Sequence, residues 1–379
     1  AVGANTLQSQ NFTTSTNSDN TAIGYFAGQQ VTTGIRNTLV GALAGDSLTD
    51  ADFNVAVGRG TLTSDTLGSR SIAIGHNALN NQNFTTATDT YNVAIGDLAG
   101  SAVTTGKNNT LLGGISGDAL TTGSENVAVG RSALSADTLG SHAVAIGFQA
   151  LAAQNFTTAT DNYNVAVGYN AGVAVTTGTE NTLLGGLAGT ALTTGIRSVL
   201  LGYQAGDALT EGQENIAVGK SALSADTLGS RATAIGKSAL SSQNFTTATQ
   251  NYNVAVGYEA GKQVTTGVRN AIVGALAGDA LQDADFNTVL GFNALTTDTL
   301  GSKSTAIGTE ALHTQNLTTA TDTFNTAVGY NAGYAVTTGL FNTFLGGKAG
   351  DAFTSGNSNV AIGMQALTAD TKGDRAVAI

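Results

Sequence analysis

Cysteine, proline and tryptophan are absent from the 379 residues, and methionine occurs once. Without cysteine there is no disulfide framework, no thiolate metal site and no cysteine nucleophile. No apolar run reaches the ~18 residues of a membrane-spanning helix. Charge is scarce as well: Asp, Glu, Lys and Arg make up 11% of the chain, less than half the usual share. The net charge of −11 opposes the phosphate neutralisation that a nucleic-acid binder needs, and equally disfavours an anionic membrane surface. Glycine is abundant at 50 residues, and the hydrophobic content of 41% is too high for a disordered linker.

What fills the chain is a repeat. A motif of the form Asn-x-Ala-Val-Gly starts at residues 20, 37, 54, 71, 92, 109, 126, 143, 164, 181, 198, 215, 232, 253, 270, 287, 304, 325, 342 and 359. The spacing is 17 residues, except after 71, 143, 232 and 304, where it is 21. One long repeat and three short ones make a 72-residue super-repeat, and residues 198–214 are one additional short repeat. Partial motifs at Ala1-Val2-Gly3 and Ala376–Ile379 predict a piece of a longer polypeptide. The array reads as one continuous domain, 1–379.

Within the repeat, position 5 is Gly in all twenty copies, and position 1 is Asn in fifteen. Position 3 is Ala in thirteen copies and larger in Leu39, Leu111, Leu183, Leu200, Ile272, Val289 and Phe344. Short β-branched runs ending in Gly are strands, and no sustained helical stripe exists. A Gly in every 17 residues would cost helices about 1 kcal/mol each. The expected fold is all-β: a parallel β-solenoid of 17-residue turns with periodic 21-residue turns, with strands near positions 2–4 and 11–14. Twenty turns at about 4.8 Å would stack into a rod of roughly 100 Å.

Alternation along a strand puts positions 2 and 4 on one face and position 3 on the other. The β-branched positions 2 and 4 suit the lumen, so position 3 is expected to face outward. A strand apolar on both faces is buried on both. This predicts a homotrimer in which Leu39, Leu111, Leu183, Leu200, Ile272 and Phe344 line a shared axis.

Ser71-Ile-Ala-Ile-Gly and Asn92-Val-Ala-Ile-Gly resemble the head repeat of YadA-type trimeric autotransporter adhesins. The longer Asn325-Thr-Ala-Val-Gly-Tyr-Asn-Ala-Gly, running on to Gly339, resembles bacteriophage tail-fibre repeats. The resemblance implies a left-handed β-roll, three chains about one axis and an extracellular place on a virion tail fibre or a cell surface.

Chemistry-bearing residues are few. His76, His142 and His313 are far apart, and no Gly-rich segment has P-loop spacing, so no catalytic, metal or cofactor site is expected. Asp46, Asp118, Asp207, Asp279 and Asp351 form one acidic column. Asp65, Asp137, Asp226, Asp298 and Asp370 form another, each followed five residues later by Arg70, His142, Arg231, Lys303 or Arg375. These are either corner caps with weak surface ion pairs or cross-chain ion pairs. The four extra residues of each long repeat should bulge outward. Their candidate contact residues are Phe84, Tyr91, Phe156, Tyr163, Phe245, Tyr252, Leu317 and Phe324, which would meet sugars or a neighbouring protein, or tuck back to anchor the loop. Asn-Phe-Thr in these bulges is also a formal N-glycosylation sequon.

The expected function is therefore structural and adhesive rather than enzymatic. The chain would be a rigid trimeric shaft segment that presents a receptor-binding tip to a host-surface glycan or protein. An adhesin head that binds matrix or glycan directly is the alternative. A Thr-faced ice-binding solenoid and a glycan-degrading tailspike fit less well, because the Thr face is one column wide and the carboxylates do not cluster.

Overall fold

The computed structural model describes residues 1–379 and contains only short strands, turns and bends. The residues form two compact units, Ala1–Gly186 and Leu187–Ile379. Each is a parallel β-solenoid. The first has ten three-residue strands between Thr21–Ile23 and Thr182–Leu184. The second has ten between Val199–Leu201 and Val360–Ile362, followed by Val377–Ala378. Pairing is column on column: Ala22 lies on Leu39 and Leu39 on Ala56 in the first unit, and Leu200 lies on Ala217 in the second.

The two faces of the strand are the reverse of the expectation. Position 3 points into the solenoid lumen: Leu39, Leu111, Leu183, Leu200, Ile272 and Phe344 are fully buried inside a single chain. They therefore do not line an axis between chains. Positions 2 and 4 point outward instead. The cause is the asparagine at position 1, which shares the face of position 3. Asn54 is fully buried, and its Nδ2 donates across the lumen to the Gly68 carbonyl at 2.9 Å. Its Oδ1 accepts the backbone N–H of Ser71, one turn on, at 2.9 Å. Both of its polar ends are satisfied internally, as a buried amide requires.

The expected second strand at positions 11–14 is not a strand. That side is a stack of turns held by axial bonds, such as Thr32 N–H to the Thr49 carbonyl and Thr49 N–H to that of Thr66, both 2.9 Å. The only other strands are two-residue pairs under the bulges, for example Gly68–Ser69 with Thr88–Asp89.

The glycine at position 5 is fixed by stacking. Gly24 has φ +137°, and a Cβ there would sit 2.4 Å from the carbonyl oxygen of Gly41 on the next turn. An L side chain is excluded by both its backbone angle and its space.

The super-repeat is a packing rule. Turns fall into four kinds, set by position 12: Val (as at Val31), Leu or Phe (Leu48, Phe353), Asp (Asp65) and Gln (Gln82). Asp-turns and Gln-turns carry a Leu at position 9 in left-handed conformation, buried in every complete repeat, such as Leu62 and Leu79, except Leu367 of the last Asp-turn. Val-turns and Leu-turns carry Gly there. Where position 9 is Gly, large side chains occupy the space. A Cβ on Gly100 of a Val-turn would meet Leu79 of the turn before at 3.0 Å and Leu111 of the turn after at 2.6 Å. A Cβ on Gly117 of a Leu-turn would meet that turn's own Leu111 and Leu120, at 2.7 and 3.0 Å. A Val-turn is thus completed by its neighbours, whereas a Leu-turn fills itself. Burial of each such Leu contributes about 1.5–3 kcal/mol.

Candidate interaction surfaces

Each long turn is built on a buried polar network. Asp65 is fully buried; its Oδ1 accepts the N–H groups of Gly68 and Phe84 at 3.1 and 3.0 Å, and its Oδ2 accepts Gln82 Nε2 at 2.5 Å. Gln82 Oε1 accepts Asn92 Nδ2 at 2.9 Å, which joins the bulge to the asparagine ladder. The same arrangement recurs at Asp137/Gln154/Asn164, Asp226/Gln243/Asn253 and Asp298/Gln315/Asn325. This acidic column is therefore a set of corner caps. Burial pushes the Asp137 carboxyl above the usual carboxylate value, opposed by its hydrogen bonds from Gln154, Phe156 and Gly140.

The network positions the bulge residues in two groups. Phe84, Phe156, Phe245 and Leu317 are at most 7% exposed and anchor the loop in their own chain. Tyr91, Tyr163, Tyr252 and Phe324 are about half exposed and end the long turn at its residue 21, in the column that position 17 fills in short turns, just before the next asparagine. The basic side chains that follow the capping Asp column reach over to the bulge. Arg70 Nε lies 2.9 Å from Asp89, Lys303 Nζ 2.5 Å from Asp322, and His142 Nδ1 3.1 Å from Asp161. The hydrogen bond to Asp89 pushes the Arg70 guanidinium above its ordinary value, and that to Glu214 does the same for Arg231. These pairs are exposed and screened by solvent, so they add little to stability.

The exposed rings are not open platforms. The Arg70 guanidinium sits over both Phe53 and Tyr91, at 4.9 and 5.8 Å. His142 lies against Tyr163 at 5.1 Å, and Arg231 over Tyr252 at 5.5 Å. Phe324 lies between Lys303 at 5.1 Å and Phe341 at 5.8 Å. A ring face of each is covered by an adjacent turn. The groove beneath the bulge, lined by Glu214, Ser230, Arg231, Thr249 and Gln250, is similarly occupied by its own hydrogen bonds. Arg231 is shared among Glu214, Gln250 and the Tyr252 hydroxyl at 2.8, 2.7 and 2.6 Å.

The most extensive surface is the sheet face itself. Position 4 presents Val, Ile or Leu outward on every turn and position 2 presents Val, Ile, Ala or Thr; Ile23, Ile95, Leu290 and Leu345 are 39–47% exposed. Two polar and aromatic columns border this apolar band. Position 17 forms one, running Glu125, His142, Tyr163 in the first unit. Position 6 forms the other. Arg131 lies over Phe148 at 5.9 Å, and Phe148 stacks on Tyr169 at 5.6 Å. Sequence reasoning missed this face because it assigned positions 2 and 4 to the lumen. The signal that could have found it is the buried asparagine two residues before position 3.

The second acidic column is different. Burial raises the carboxyls of Asp46, Asp118, Asp207 and Asp279 above the usual value. Oδ1 of Asp46, Asp118 and Asp207 is buried without a hydrogen-bond partner, whereas Asp279 accepts the Thr296 hydroxyl. No cluster of three or more His, Asp or Glu side chains could hold a metal ion. His76 lies with Arg59 and Asp97, and His313 stacks on Tyr334 at 4.9 Å. The threonine hydroxyls at position 13 donate to their own stack, as Thr49 Oγ1 does to the Thr66 carbonyl at 3.0 Å. No helix is long and apolar enough to cross a membrane.

No protein-family model matches the chain, and comparison with curated proteins gives no significant match.

Proposed function

We propose that the chain is a structural shaft segment of an extracellular fibre, a phage tail fibre or a surface appendage. Three copies would associate through the outward apolar face. The supporting observation is the outward column at position 4, which is Val, Ile or Leu on every turn and stands beside a position-2 column of Val, Ile, Ala and Thr, on strands whose other side is already a filled core. A continuous exposed apolar patch of this kind marks an association surface. The fold suits a spacer. Every turn bonds to the next through strand pairs, asparagine side chains and axial backbone bonds, so stiffness is supplied all along each unit. A receptor-binding tip on a glycan or protein of the host surface would be carried elsewhere in the fibre. The reading is non-enzymatic: the carboxylates are spread in columns, and the buried Asp and Gln side chains on which the long turns are built are paired with each other.

The test is native mass by light scattering with an unboiled denaturing gel. The expected result is three chain masses and a band that resists detergent. A monodisperse monomer with the same secondary structure would overturn the proposal.

A further inference from the structure

The position-4 column alone would let copies slide along one another, because it is Val, Ile or Leu on every turn. The two borders of the apolar band are not uniform, and they differ turn by turn. We propose that the position-17 column of one copy meets the position-6 column of a parallel neighbour at the same turn, and that this pairing sets the register of the assembly. The inference rests on the self-association proposed above and goes beyond it by naming which residues face each other.

The argument starts from placement. On one turn, position 17 and position 6 flank the strand, six residues apart along an extended path of roughly 20 Å. They cannot pair within a chain. If copies pack face to face about an axis parallel to the stack, column 17 of one is brought opposite column 6 of the next. An antiparallel arrangement would instead set column 17 against itself.

In register, the borders are complementary. Glu125 meets Arg131 and Glu214 meets Lys220, two pairs of opposite charge. Phe286 meets Phe292 and Phe324 meets Tyr330, and Tyr252/Tyr258 and Tyr163/Tyr169 make four ring–ring pairs in all. All eight of these rings are exposed, from 45% to 58%. Lys220 has no side-chain partner in its own chain, and Glu214, already held by Arg231 at 2.8 Å, would take Lys220 of a neighbour as a further partner. One like-charged pair arises, Arg231 with Lys237.

Slipping by one turn loses this match. Moved one way, two opposite-charge pairs form, Arg70 with Asp97 and Glu214 with Lys237, but no two Phe or Tyr rings meet, and Arg36 faces Arg59 and Arg197 faces Lys220. Moved the other way, two ring pairs form, but Arg70 faces Arg59 and Arg231 faces Lys220. Like charges directly opposed are destabilising, and aromatic pairs add stabilisation beyond their buried area.

The absence of cysteine makes a clean test possible. Three double variants are made in the full chain: Phe286→Cys with Phe292→Cys, Phe286→Cys with Thr309→Cys, and Phe286→Cys with Ala275→Cys. The first reports the in-register pairing, the others a slip of one turn in either direction. Disulfide formation needs Cα atoms within about 7 Å. After mild oxidation, the first variant is expected to give covalent oligomers on a non-reducing gel fastest and most completely. Light scattering and circular dichroism on each variant separate the outcomes. An oligomer that cross-links better through either slipped pair, or through none, overturns this inference and leaves the shaft reading standing. A folded monomer overturns the shaft reading and this inference with it.

Discussion

The hydroxyls of Ser71 and Thr90 lie 2.6 Å apart in the buried strip where ordinary turns carry an asparagine ladder. Gln82 Nε2 donates to the same Ser71 oxygen at 2.8 Å. Ser304, Thr323 and Gln315 repeat the arrangement. The other two long turns solve the problem differently. Ala143 and Ala232 stand in place of the serine, and Asn162 and Asn251 in place of the threonine, accepting the N–H of Asn164 and Asn253 at 3.0 and 2.9 Å. The pairs Ser/Thr and Ala/Asn are thus alternative fillings of one site.

Mixing them should be costly. Ser71→Ala leaves Thr90 and Gln82 each short of a buried partner, at about 1–3 kcal/mol. Adding Thr90→Asn should recover most of that loss, since the result copies the Ala143/Asn162 turn. Urea unfolding of the single and double variants measures the coupling. Strict additivity would show that the two positions do not act as a unit.

Substitutions in the strand should separate core from surface. Leu111→Asp places a charge in the lumen and is expected to unfold its unit, a loss above 3 kcal/mol. Leu290→Asp with Leu345→Asp should leave circular dichroism unchanged and abolish self-association in light scattering. The reverse pattern would return position 3 to the outside.

Glycines can be ranked by the space around them. Gly113→Ala meets the Gly130 carbonyl carbon and oxygen at 2.7 Å with φ at +138°, so expression as folded protein should fail or the melting temperature fall sharply. Gly347→Ala has nothing within 4 Å and should be silent. Equal effects of the two would show that stacking does not set the requirement.

The partly buried acidic column carries a pH signature. Asp46, Asp118, Asp207 and Asp279 have raised carboxyl pKa values in the folded state, so folding favours their protonated form. Their unfavourable contribution appears as pH rises from the ordinary carboxylate value, 3.8, through the raised value, and persists at neutrality. Replacing all four with Asn should therefore stabilise the protein at pH 7, by a modest amount given their partial exposure. The gain should vanish below pH 4. A gain that is the same at both pH values would point to something other than ionisation.

The period, the class of fold and the role of glycine were legible because a repeat writes each structural column many times in residue types. Which strand face is interior was not legible. Alternation gives two faces without saying which is inside, and a polar asparagine reads as an outward residue. Its real partners are a carbonyl 14 residues further on and an N–H one turn away, for example Ala51 and Asn54 for Asn37. Only stacking brings these together. The bulges were located correctly in sequence, but Phe84 and Tyr91 share one loop and differ completely in exposure. The two-residue strand at Thr88–Asp89, between them, separates an anchor from an exposed ring.

The packing rule also predicts which turns can be copied. A Leu-turn fills its own lumen, and the extra repeat at 198–214 is one, with Leu200 and Leu209 against Gly206. Inserting a further copy of 198–214 after residue 214 should leave the melting temperature nearly unchanged. Inserting a second Val-turn, a copy of 92–108, after residue 108 should lower it, because the two facing Ala and Gly positions leave a void. Thermal unfolding of the two insertions decides the matter.

A 17-residue turn also defines how a unit would respond to tension. Stacked, each turn occupies about 4.8 Å of axis; drawn out, the same residues span about 56–61 Å. Strands lie across the direction of pull, so bonds between turns would open one row at a time rather than all together. The terminal turn would let go first and the rest would stay folded. Stretching should then yield a regular staircase, with a longer step of about 70 Å whenever a 21-residue turn is released. Such an array works as a cable that lengthens more than tenfold under load, one turn at a time.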